Sequence, residues 1–150
     1  MAHYLFNFGT QDAANLREQA AGFLRVGMWG IDADERHRNA LAPGDLVLIH
    51  LGAPERAFIG RAELATAVHN WTPTEAEAYP GDLPSGVLLS HVEEWDPAVP
   101  MDAVVQRIDP TASNPLVQAN AAAGFRTGVV RITGDEYGNA VALSREARRT

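Results

Sequence analysis

The stretch 46–64, "LVLIHLGAPERAFIGRAEL", decides the fold. Residues 46–51 are a nearly unbroken apolar run, as expected of a central strand covered on both faces. A turn around Gly52-Ala53-Pro54 leads back into "AFIGRAEL" (57–64), so the two runs read as a hairpin. Upstream, "HYLFNF" (3–8) reads as a first strand ended by Gly9-Thr10. Thr10 or Asp12 is placed to cap a helix over 12–25, whose Leu16, Ala20, Phe23 and Leu24 share one face. "VGMWGID" (26–32) then sets Trp29 in a loop between Gly27 and Gly30, and the polar "DADERHRNA" leads to the turn "APGD" (42–45).

Downstream, "TPTEAEAYPGDLPSG" (72–86) holds Pro73, Pro80 and Pro84 and reads as loop. "VLLSHVEEW" (87–95) is a further strand, and "DPAVPMDAVVQRI" (96–108) a short helix started by proline. Residues 111–128 are irregular, with a short helix at 115–122. "VVRIT" (129–133) is the closing strand, and Thr133 with Glu136 forms a capping box for a helix running to about Arg148. The sum is an α+β chain with a small β-barrel of about five to seven strands flanked by short helices, in one domain over 1–150. Sequence-adjacent strands are expected to run antiparallel.

Composition narrows the function. The formal net charge is -7, which excludes a generic basic nucleic-acid coat. All twelve basic residues are arginine, a usage that a GC-rich genome explains but that also supplies forked donors for phosphate. With no cysteine there is no disulfide framework and no thiolate zinc site. No apolar run nears the roughly 18 residues that span a bilayer, and the N-terminus lacks the basic flank of a signal peptide, so no membrane partner and a cytoplasmic location are expected.

Catalytic patterns are missing. There is no phosphate-binding glycine loop or dinucleotide fingerprint. His3, His37, His50, His69 and His91 are not at metal-ligand spacing, and no serine sits in a nucleophile elbow. "DADE" (32–35) reads as a solvated acidic loop or, less simply, a metal site. The expectation is therefore a binding module, not an enzyme, with no cofactor and no metal.

Four stretches in this order resemble the EVE domain family, a PUA-like fold related to the YTH readers and to the modified-base-reading domains of McrB-type restriction enzymes. They are "HYLFNFG", "GMWGID" followed by "ERHRNALAPGDLVLIHLG", "AFIGRAELATAVHNW", and "NPLVQANAAAGFRTGVVRIT". The resemblance implies a pocket that takes one flipped base, 5-methylcytosine in DNA by preference, with RNA modifications or a small metabolite as the alternative ligand. It also implies a role in modification-dependent restriction, with a nuclease partner recruited in trans. Trp29 and Trp71 would be the aromatic walls of a cage, with Gly30 and Ile31 approaching the ligand through their backbone. Trp29 has a second reading as a core plug, and Trp71 as a cover for the barrel end. Asn7 and Asp32 would read the base edge, and His50 and Leu51 would form the pocket floor. Turn cap, solvated acid and core histidine are the structural readings of Asn7, Asp32 and His50. Arg36, Arg38, Asn39 and Arg126 would meet the nucleic-acid backbone; the first three have ordering their loop as a second reading, and Arg126 has a base contact. A further reading has the tryptophans forming a protein interface.

Overall fold

The computed structural model describes residues 1–9, 15–52, 55–108 and 128–149. Its sheet contains β1 (His3–Phe8), β2 (Met28–Gly30), β3 (Leu46–Leu51), β4 (Ala57–Leu64), β5 (His69–Asn70), β6 (Ser85–Pro100) and β7 (Val129–Ile132). The strand order is β2-β6-β4-β3-β1-β7, with β5 also on β6. The β3–β4 hairpin forms as expected, in antiparallel register from Leu46↔Glu63 to Leu51↔Ala57.

The sheet curls into a half-barrel rather than a closed one, because its path ends at β2 and β7, which do not pair among the described residues. It is also mixed: β1 runs parallel to β3 and antiparallel to β7. A parallel pair needs a long crossover, and the stretch from α1 (Leu16–Val26) through β2 to the "APGD" turn supplies it.

Both faces of the central strands are covered, which is why 46–51 is apolar apart from His50. On one face Tyr4, Phe6, Val47, Ile49 and Leu51 pack with Leu16, Ala20 and Leu24 of α1. On the other, Leu5, Leu48 and Phe58 pack under α3 (Met101–Arg107) and α4 (Gly134–Arg149) through Met101, Val104, Tyr137, Ala140 and Val141. Each buried Val, Leu, Ile, Phe or Met side chain among these contributes about 1.5–3 kcal/mol. The Thr133–Glu136 capping box of α4 is present: Thr133 N–H donates to Glu136 Oε1 at 2.8 Å, and Glu136 N–H to Thr133 Oγ1 at 3.1 Å. Among the described residues no helix is long and apolar enough to cross a membrane.

Four local expectations change. The first helix begins at Leu16, with Asn15 in the N-cap position; Thr10 and Asp12 lie outside the described residues. Its end is set by Gly27, whose φ of 69° lets its N–H reach back to the carbonyls of Phe23 and Leu24. Trp29 then enters a strand, not a loop. Within 72–86 a helix forms, α2 (Pro73–Ala78), because Thr72 and Glu75 make a capping box and Pro73 occupies the first turn. Finally, "DPAVP" extends β6 to Pro100, so α3 starts only at Met101. The helix expected at 115–122 lies outside the described residues.

Candidate functional site

A cleft of about 980 Å³ opens where the sheet fails to close. This is the upper end of ordinary ligand-pocket volumes. Its walls come from the end of β1 (Asn7, Phe8), α1 (Glu18, Phe23), β2 and its continuation (Trp29–Asp32), the turn 79–83, and the start of β7.

Aromatic packing builds the interior. The Trp29 ring, 5% exposed, stacks on Phe6 at 5.9 Å and meets Phe8 and Phe23 edge-on at 5.9 and 5.5 Å. Phe23 in turn stacks on Tyr79 at 5.5 Å, with 19° between the ring planes. Trp29 is therefore both core residue and cleft lining; the two readings of it describe one side chain.

Tyr79 is held in a slot between two glycines. Its hydroxyl hydrogen-bonds to the Gly30 backbone. A β-carbon at Gly30 would strike that hydroxyl and Leu83, and one at Gly81 would press on the Tyr79 ring. Burial pushes the Tyr79 phenol above its ordinary value, so its proton is retained. Strand pairing explains why Gly30 is available. Ile31 N–H donates to Ser85 O and Leu89 N–H to Gly27 O, so Gly27, Trp29 and Ile31 turn their polar groups toward β6. Alternation then turns those of Gly30 outward, to Tyr79 and the cleft. The backbone of Ile31, expected to meet a ligand, is already engaged: its carbonyl accepts from Ser85 Oγ (3.3 Å) and Arg38 Nη1 (3.1 Å).

The polar lining is mostly acidic. Glu18, Asp32, Asp34, Glu35 and Asp82 line the cleft, with Arg36 as the arginine among its described residues. Asp32 is exposed, and its Oδ1 accepts from Asp34 N–H at 3.0 Å, which holds the loop in an Asx turn. Arg38 reaches the carbonyls of Ile31 and Asp32 and so orders this loop. Among the described residues no group of three or more metal-ligating side chains converges.

The cleft thus brings together Asn7, Trp29, Gly30, Ile31, Asp32 and Arg36. It excludes others. Leu51 is 1% exposed in the core, and His50 lies in the sheet interior rather than on a pocket floor. Trp71 does not line the cleft; it supports Tyr79 from behind at 5.0 Å, and its Nε1 donates to Leu83 O at 2.9 Å. Arg38 and Asn39 are not lining residues, and Arg126 lies outside the described residues. Phe8, Phe23 and Tyr79 also line the cleft, beyond the residues that the sequence pattern points to. Tyr79 carried a signal, an aromatic next to Pro80-Gly81 in a segment otherwise polar.

Asn7 has a structural task besides its place at the cleft edge. Its Oδ1 lies 2.8 Å from His50 Nδ1. Since Oδ1 only accepts, Nδ1 carries the proton. Burial, followed by the nearby Arg56 charge, lowers the His50 pKa to about 3. A base with a depressed folded-state pKa favours unfolding as pH falls below its ordinary value of 6.5. Stability should drop by about 1.4 kcal/mol per pH unit on this account, or about 2–3 kcal/mol near pH 4.5. Urea denaturation of wild type and His50→Asn at neutral and acid pH checks it; equal pH slopes in both would refute the assignment.

No protein-family profile and no curated protein matches the sequence. Solved structures do match in fold. A hypothetical protein from Leishmania major aligns with a TM-score of 0.64 at 16% identity, over 99% of this chain and 97% of that one. Human THYN1, an EVE-domain protein solved in complex with DNA containing 5-methylcytosine, aligns at 0.62 and 14%, over 96% and 98%. The ASCH protein from Zymomonas mobilis aligns at 0.54 and 13%, over 95% of each chain. The chain therefore has the fold of an EVE/PUA-like domain, with its cleft at the unclosed edge of the sheet.

Proposed function

We propose that this protein reads a modified nucleobase, taking one base flipped out of DNA into the cleft, with 5-methylcytosine as the preferred ligand. It acts as a binder and not as an enzyme; in a restriction setting, cutting falls to a nuclease partner in trans. The observation that carries this reading is the cleft lined by Phe23, Trp29 and Tyr79 with carboxylates at its mouth. A base offers flat faces for stacking, worth about 1–3 kcal/mol per base. The outward-facing Gly30 backbone and Asp32 offer acceptors to the amino group of a cytosine, whereas the carbonyl of a thymine or uracil would find few donors. A methyl group gains about 0.8 kcal/mol against an apolar wall such as Phe23 or Leu83. Arg36 at the rim, with Arg126, would meet phosphate. The complex of human THYN1 with methylated DNA supports the choice by analogy of fold alone.

One observation favours a second reading. Five carboxylates against one arginine at the described cleft lining repel phosphate, which suits a free nucleoside or other small amine-bearing metabolite.

A gel-shift panel of duplexes and single strands carrying cytosine, 5-methylcytosine, hydroxymethylcytosine or methyladenine separates these. Preference for 5-methylcytosine is expected, weakened by about 1–3 kcal/mol in Tyr79→Ala and reduced in Asp32→Ala, an exposed site whose change spares the core. Equal binding to all probes, or none, would sink the first reading. Quenching of tryptophan fluorescence by free 5-methylcytidine alone would establish the second.

A further inference from the structure

The segment 69–84 forms one side of the cleft through Tyr79, Pro80, Gly81, Asp82 and Leu83, yet its six-residue helix contributes no fully buried side chain. Tyr79 and Trp71 anchor the far part of the segment by packing, whereas polar contacts hold its helix and the turn before it. His69 Nδ1 lies 3.1 Å from Ala67 O, and His69 Nε2 lies 2.9 and 3.2 Å from the two carboxylate oxygens of Glu75. A backbone carbonyl and a carboxylate both only accept, so each ring nitrogen faces an acceptor and the geometry calls for the imidazolium. Thr66 Oγ1 sits at 3.5 Å from Nδ1, and on β6 the residue opposite His69 is the uncharged Gly86. Glu75 is the charged group facing the ring.

Glu75 does double duty, since its Oε1 also accepts the Thr72 N–H at 2.9 Å and so closes the capping box of α2. The His69 ring meets Trp71 edge-on at 5.6 Å, and Trp71 supports Tyr79. An unbroken line of contacts therefore runs from the His69–Glu75 pair to the aromatic wall of the cleft.

We infer that segment 69–84 is a strap whose order is latched by the His69–Glu75 pair, so that the cleft wall loosens and ligand binding weakens when His69 loses its proton. The regulation rests on the base-reading function proposed above; the latch itself does not. The hydrogen bond to Ala67 and the Glu75 carboxylate hold the His69 proton above its ordinary range, against a smaller opposing effect of burial. A raised folded-state value means that the latch is closed at low pH and opens as pH rises through it.

Hydrogen exchange of the amides of 72–83 tests this in the whole protein, taken as the ratio of wild-type protection to that of His69→Gln at each pH. Glu75→Gln is the second variant, because glutamine keeps the capping box and removes only the charge. The expected ratio is roughly three- to five-fold at about pH 6 and near one at about pH 9. The affinity ratio for a 5-methylcytosine duplex should fall in parallel. A protection ratio near one throughout, or one that stays high at alkaline pH, overturns the latch. A protection ratio that follows pH while no methylated duplex binds at any pH upholds the latch and sinks the base-reading function instead.

Discussion

Trp29→Ala is expected to destabilise the protein by about 3–5 kcal/mol, the range for deleting an enclosed large aromatic. The indole is 5% exposed and touches Phe6, Phe8 and Phe23, which come from two different elements of the same core face. Removing it leaves a void that strand β1 and helix α1 can fill only by moving together, and that movement would also collapse the cleft. Urea denaturation at neutral pH measures the loss; a cost below about 1 kcal/mol would mean that the ring is not enclosed as described. The same enclosure makes this variant a poor test of ligand contact, because lost binding would follow from lost packing. Substitution at the exposed Asp32 separates the two.

Gly86→Ala should be nearly as damaging, at about 3 kcal/mol, although it adds a single methyl group. On β6 this glycine faces Gly30 across the pairing with β2. A β-carbon there would collide with the Trp29 carbonyl and lie 2.7–2.8 Å from the Trp71 ring. A side-chain tip can rotate away, but a carbonyl in a paired strand cannot. The expected result is that β2 separates from β6, and exchange protection of Ile31 N–H, which donates to Ser85 O, should fall with the stability. A Gly86→Ala protein with wild-type stability would show that the two strands approach less closely. By contrast, Gly22→Ala in α1 meets nothing within 4 Å and serves as a control for glycine replacement.

The strands and helices built from local pattern were legible in the sequence. The hairpin 46–64, the first strand 3–8, the buried face of α1 and the capping box of α4 all depend on residues close in the chain, and each forms where its pattern lies. The short helix at 73–78 was not read: its capping signal, Thr72-Pro73-Thr74-Glu75, was present, but proline and glycine further along made the segment read as loop. What composition and order determined was an α+β chain with a curled sheet and without a recognisable catalytic motif.

Tertiary structure alone decided which residues share the cleft. Trp71 and Tyr79 are both aromatics in one segment, and no local rule says that the tyrosine faces the cleft while the tryptophan supports it from behind. That depends on Gly30 and Gly81 leaving a slot for the Tyr79 ring, and on Leu83 O capturing the indole N–H. Likewise Asn7 and His50 meet only because β1 pairs in parallel with β3, a long-range choice that sets them side by side in register. Sequence periodicity determines which face of each element is apolar, since that follows from backbone geometry within a few residues. Which faces meet, and where the half-barrel stays open, depends on contacts between residues far apart in the chain, and those are settled only when the whole sheet packs.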